Sequence, residues 1–127
     1  MHILALTVAT VSNVVLGSLW YSLLFGKMWQ QAEGISDEQI KAQGTTPYIF
    51  ALVCSFLSAV GFNYLVMNSI SLENNLFIGL IVGILVAASM CINYQFSGRD
   101  NKSFLINAGY HIARFVIYAL VFWFIKN

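Results

Sequence analysis

Charge is what this chain has least of: 9% of its 127 residues are charged, against 59% that are hydrophobic. Soluble domains are about half apolar and a quarter charged, so this composition excludes a water-soluble fold. The net charge of +1 is spread over separate loops. It makes no basic face that could neutralise phosphates, and no nucleic-acid partner is expected. Proline occurs once and cysteine twice. Cys54 and Cys91 fall in apolar stretches at similar expected depth, where they read as small packing residues rather than a disulfide framework. Histidine is equally sparse: His2 and His111 are far apart, and no apolar stretch carries a carboxylate to complete a metal site. Neither a metal nor another cofactor is expected. No Lys or Arg precedes the first apolar run, which starts at Ile3 and exceeds the usual signal-peptide core of about 7–15 residues, so it reads as retained.

What the chain does have is long apolar runs. Hydrocarbon about 30 Å thick requires about 20 mostly apolar residues at 1.5 Å rise each. Four stretches qualify, at residues 3–24, 47–67, 75–96 and 103–125. The expected fold is therefore all-α, a single four-helix membrane domain. Polar or turn-forming residues separate the runs, and the second and third connections are short, which favours antiparallel neighbours. Pro47 stands at the start of the second run, where its missing N–H has no helical partner to lose.

Positive charge sets the expected orientation. Lys27, Lys41, Arg99 and Lys102 lie in loops one and three, which places those loops in the cytoplasm and both termini outside. Loop one is the only sizeable extramembrane piece. Within it, Ser36-Asp37-Glu38-Gln39 reads as a capping box that opens a short amphipathic helix ending near Gly44.

Trp20, Tyr21 and Trp29 at one end, and Trp123 at the other, are expected as membrane-interface anchors rather than as a cofactor box. Small residues mark the expected helix contacts: Gly79, Gly83, Ala87 and Cys91 at four-residue spacing in the third run, and Ala5, Ala9, Asn13 and Gly17 in the first. Such stripes let backbones approach closely in lipid, either within one chain or between two.

The fourth run carries the most informative feature. Arg114 is about 15 Å along the helix axis from Phe104 and about 18 Å from Lys126, near mid-bilayer. It is the one formally charged side chain inside a span. Apolar neighbours offset its insertion cost of about 2.5–3.5 kcal/mol, but they do not solvate the guanidinium. Asn107, Tyr110, His111, Arg114 and Tyr118 recur at three- and four-residue steps and form one polar stripe that should face the bundle interior. Matching depths across antiparallel helices places Asn13 near Arg114, Asn93 near Asn107 and Asn63 near Tyr118. With no acid in any span, Arg114 must use neutral acceptors, water or an anion from outside. Three readings stay open: a structural hydrogen-bond network, a site for an anionic or polar ligand, and an interface where another subunit supplies an acid. A catalytic set is missing, because His111 has no nucleophile, metal or acidic partner.

Two motifs resemble a known family. Gly17-x-x-Trp20-Tyr21-x-x-x-Phe25-Gly26-x-x-Trp29, followed by Gly34 and an acidic loop, resembles the opening of a family of small bacterial four-helix membrane proteins catalogued as a domain of unknown function. Asn107-Ala108-Gly109-Tyr110-His111 resembles that family's last helix, so the likeness covers nearly the whole chain. It implies a four-helix fold in the bacterial inner membrane and implies no reaction. The family pattern often has proline two residues after the Trp-Tyr pair, where this chain has Leu23, which puts in doubt any kink that proline would impose. The small multidrug exporters resemble the chain only in size. They rely on a membrane-embedded glutamate in the first helix, where this chain has Asn13.

The expected function is that of a non-enzymatic accessory or ligand-binding subunit in the lipid bilayer, as a homodimer or docked on a larger membrane complex. The alternative is a small homodimeric transporter for an anionic or neutral solute.

Overall fold

A computed structural model describes residues 2–126, and among them there is no strand. Helix α1 (Ile3–Ser18) runs on into a π-helical segment (Leu19–Leu24), followed by α2 (Gly26–Glu33), α3 (Asp37–Gln43), α4 (Thr46–Val66), α5 (Leu72–Ser97) and α6 (Asn101–Lys126). Four stretches are long and apolar enough to cross a membrane: Ile3–Leu24, Thr46–Val66, Leu72–Ser97 and Asn101–Ile125. The all-α membrane bundle read from the sequence is the architecture that forms. The expected placing of both termini involves Met1 and Asn127, which lie outside the described residues.

Local chemistry explains the element ends. His2 Nδ1 accepts from the Ala5 N–H at 3.2 Å and caps α1. The capping box at Ser36 and Gln39 is present and opens α3. Pro47 lies in the first turn of α4, a beginning and not a kink. Helix α5 starts three residues before the expected Asn75, because the Ser71 hydroxyl accepts from the Asn74 N–H at 3.1 Å. It stops at Gly98, whose φ of +67° is the left-handed conformation that glycine adopts without strain.

Loop one contains a second helix that the capping signal did not reveal. Helix α2 begins directly after the π-helical segment and packs on α6.

Helix α6 is the hub. It packs along α5 for most of its length and against α1, while α4 leans on α1 and meets α6 more briefly. Gly79 and Gly83 make the α5–α6 contact possible. A Cβ at Gly79 would lie 2.7 Å from the Phe115 carbonyl oxygen, and one at Gly83 would lie 2.8 Å from the Ile112 Cα. Ala87, on the same stripe, is half-buried. In α1, Ala5, Ala9 and Asn13 are buried, and a Cβ at Gly17 would lie 3.2 Å from the Tyr110 hydroxyl. Both small-residue stripes therefore join helices within one chain.

One expectation fails here. The short second connection does not make α4 and α5 close neighbours, and the two scarcely touch. The glycine face of α5 is occupied by α6, so α4 finds its buried contacts on α1 and α6 instead. Its buried residues are Ser55, Ala59, Phe62, Asn63 and Val66. Phe62 packs its ring 5.9 Å from Phe115 and 6.1 Å from Phe122. Cys54 and Cys91 are both free thiols, the first exposed and the second half-buried.

Candidate functional site

The polar stripe of α6 faces inward as its spacing requires, and it divides into two assemblies joined at Tyr110. The first lies toward the first-loop end of the bundle and contains both sequence motifs. Trp20 Nε1 donates to the Ile106 carbonyl at 2.9 Å, and its ring covers Gly109, where a Cβ would lie 3.0 Å from Trp20 Cζ2. The Tyr21 hydroxyl donates to Asn107 Oδ1. Tyr21 also meets Trp29 edge-on at 5.2 Å and Tyr110 at 5.4 Å, and Trp20 packs on Phe25 at 4.9 Å. The motif in the first helix and the Asn107–His111 motif are thus two halves of one interlock.

Trp20 and Tyr21, expected as interface anchors, turn in onto α6, and Trp29 packs on Tyr21. The cause is the π-helical winding, in which the Phe25 N–H reaches back five residues to the Trp20 carbonyl at 2.9 Å. Residues spaced by four on an α-helix drift around it by about 40° per step, from 3.6 residues per turn. The wider π turn offsets that drift and keeps Tyr21 on the side that carries Asn13 and Gly17. The segment takes the π winding with Leu23 in it and no proline. Trp123, at the other end of α6, is half-buried.

Further partners tie the interlock to the loops. Asn107 Nδ2 donates to the Tyr94 hydroxyl at 2.5 Å and, more weakly, to Ser103 Oγ at 3.5 Å. Ser103 donates in turn to Glu33 Oε1 at the end of α2. Arg99 pairs with the same carboxylate at 2.7 Å and lies 3.9 Å over the Tyr94 ring. Asn93, expected beside Asn107, is not part of this. It is exposed on the outer face of α5, and Tyr94, one residue on and about 100° around the helix, fills the place.

The second assembly lies deeper. The Tyr110 hydroxyl donates to Asn13 Oδ1 at 3.1 Å, and Asn13 Nδ2 donates to Ser55 Oγ. The Tyr118 hydroxyl donates to the Ser55 carbonyl at 2.8 Å. Arg114 donates from Nε to His111 Nδ1 at 3.0 Å, and more weakly to the Tyr118 hydroxyl at 3.5 Å and to Ser58 Oγ at 3.4 Å. Its guanidinium carbon lies 4.3 Å over the Phe115 ring. Asn13 thus reaches Arg114 only through Ser55 and Tyr118, not directly. Because His111 Nδ1 accepts from a cation, the imidazole here is neutral, with its proton on Nε2.

Sequence reasoning missed Ser55, Ser58, Tyr94, Ser103 and Glu33. Ser55 and Ser58 were legible in principle, since two hydroxyls three residues apart on an apolar helix mark a polar edge. The Glu33–Arg99 pairing joins two loops 66 residues apart, and spacing carries no signal for that.

The two assemblies differ in how fully their polar groups are used. Arg114 has five N–H donors. Three are accepted, two of them at 3.4–3.5 Å, so two have no acceptor among the described residues. Arg114 has no carboxylate partner among the described residues, where the one ion pair is Arg99 with Glu33. The same residues hold no cluster of His, Cys, Asp and Glu that could bind a metal ion.

Two concavities lie elsewhere. One of about 510 Å³ separates α2 and α3 beside Lys27, Gln30 and Asp37, where Gln30 already donates to Asp37 at 2.9 Å. The other, about 440 Å³ between α1 and α4, is apolar apart from Thr7 and Thr10, whose hydroxyls donate to carbonyls of their own helix. The first is open to the loop surface, where Lys27 is exposed, and the second has no charged residue in its lining.

No curated protein and no solved structure matches the chain. A family profile does match, over residues 4–123, and the chain belongs to that family, DUF1761, described as a protein of unknown function.

Proposed function

We propose that this protein is a non-enzymatic, ligand-binding membrane subunit whose site is Arg114 with its neighbours His111, Ser58 and Tyr118. One observation carries the reading: a half-buried guanidinium within a membrane span, with no acid partner and with two N–H groups that have no acceptor among the described residues. Ionisable side chains inside spans are costly and mark ligand or ion sites when no partner neutralises them. A charge kept only for packing would be expected to come with a full set of acceptors, as the interlock around Tyr21 and Asn107 does. The guanidinium favours an anionic or strongly polar group, held by charge-assisted hydrogen bonds. Neutral His111 orients the guanidinium by accepting from Nε and leaves the outer N–H groups to the ligand.

Native mass spectrometry of the protein released gently from its own membrane tests this, comparing wild type with Arg114→Leu. A small molecule or partner subunit carried by the wild type and absent from the mutant is the expected result. Identical masses, apart from the substitution, would leave Arg114 a packing residue.

A further inference from the structure

Helix α4 has two unlike halves. From Ser55 onward it buries Ser55, Ala59, Phe62, Asn63 and Val66. From Thr46 to Cys54 every residue is exposed. A helix lying against its neighbours along its whole length would bury one stripe throughout. Helical spacing puts Cys54 on the face that carries Ser58, and Ala51 on the face that carries Ser55, each one turn nearer the first loop. That face is covered at Ser55 and Ser58 and uncovered at Cys54 and Ala51. The first-loop half of α4 therefore stands off from α6, and α5, which scarcely meets α4, does not close the gap. Arg114 lies at the closed end of this gap, where Ser58 accepts from it.

We infer that an anionic amphiphile occupies this gap, with its carboxylate or phosphate on the unaccepted N–H groups of Arg114 and its chain beside the first-loop half of α4. The inference rests on the ligand-binding reading above and adds the class of ligand and its route. Charge complementarity fixes the head: Arg114 is a cation without a counter-charge among the described residues. The surroundings fix the tail. Neither α4 nor α5 carries a Lys or Arg, so between the lysines Lys41 and Lys102 at the membrane surface and Arg114 these helices offer a small soluble anion no cationic step. The exposed residues on and beside the Ala51–Cys54 face, among them Pro47 and Phe50, are uncharged and apolar and suit a hydrocarbon chain. Such a molecule reaches Arg114 sideways, from the leaflet on the first-loop side, without crossing the packed α5–α6 or α1–α6 seams.

Cys54 reports on the gap. The full chain carrying Cys91→Ser, reconstituted in phosphatidylcholine nanodiscs, is treated with N-ethylmaleimide in the presence of oleate, oleyl alcohol, acetate or inorganic phosphate. Bound radiolabelled oleate is measured in parallel. Oleate is expected to slow Cys54 alkylation tenfold or more and oleyl alcohol is not. The protection should disappear in Arg114→Leu and return in part in Arg114→Lys, which keeps the charge. The wild-type contrast of oleate with its alcohol needs no mutant and stands even if Arg114→Leu does not fold.

Equal protection by acetate or phosphate would overturn the amphiphile in favour of a soluble anion. Failure of the reagent to reach Cys54 in the ligand-free protein would overturn the open gap. Arg114-dependent oleate binding that leaves Cys54 alkylation unchanged would overturn the route while preserving the site. If oleate fails to bind but another molecule leaves with Arg114 in native mass spectrometry, only the ligand class falls. If nothing depends on Arg114 in either experiment, the proposed function falls with it.

Discussion

The interlock around Trp20 and the cluster around Arg114 sit one above the other on α6 and solve opposite problems. In the interlock, each polar group singled out has a partner: the Trp20 indole, the Tyr21 hydroxyl, both ends of the Asn107 amide and the Glu33 carboxylate that gathers Ser103 and Arg99. Aromatic rings fill the space between them. In the cluster, the strongest donor in the membrane part of the chain is held by one good bond and two long ones. A satisfied network in a low-dielectric interior rigidifies, whereas an unsatisfied one is a place where something else can bind. Tyr110 belongs to both, with its ring against Tyr21 and its hydroxyl on Asn13, so the rigid assembly positions the less complete one.

The comparison predicts an order of effects on stability. Trp20→Ala should be the most damaging, because it removes an indole that covers Gly109 and leaves the Ile106 carbonyl without its extra donor. Truncations of this kind cost about 3–5 kcal/mol in packed cores. Thermal melting in detergent should show the largest fall for this variant. Tyr21→Phe keeps the ring contacts and loses one hydroxyl, so Asn107 Oδ1 loses its donor. A loss of about 1–2 kcal/mol is expected, seen as a smaller fall in the same assay.

Arg114→Leu should change stability least, by less than about 1 kcal/mol in either direction. It removes a costly buried charge together with weak bonds to neutral acceptors, and apolar replacements at such positions are often neutral or stabilising. The same variant should lose any bound anion. A fall as large as that of Trp20→Ala would erase the contrast between the two regions and make the Arg114 cluster structural.

Much of the fold was legible because lipid imposes simple requirements. The four spans follow from length and hydropathy, and the stripe from Asn107 to Tyr118 follows from a period of 3.6. The Gly79–Gly83 contact follows from the lack of side chains, and Pro47 and the Ser36 capping box mark helix starts by local chemistry alone. What was not legible has physical causes as well. Trp20 and Tyr21 sit at a span end, where the aromatic-belt signal says nothing of a seam with α6, and the π winding turns them toward that helix. Asn93 and Tyr94 are adjacent and both polar enough to bond Asn107, so a difference of one residue in helix phase decides between them. The α2 helix lacks a capping signal, since no side chain caps it at Phe25.

The amino-acid sequence by itself determined that this is an all-helical membrane bundle with one arginine stranded in a span, since apolar length and helical periodicity are local properties of the chain. Tertiary structure alone decided which helices touch: that α6 is the hub, that the two motifs close on each other, that α4 stands away from α5, and that Arg114 finds neutral partners. Those outcomes depend on which surfaces can approach most closely. The notch at Gly79 and Gly83 gives α6 to α5 and leaves the first-loop half of α4 uncovered.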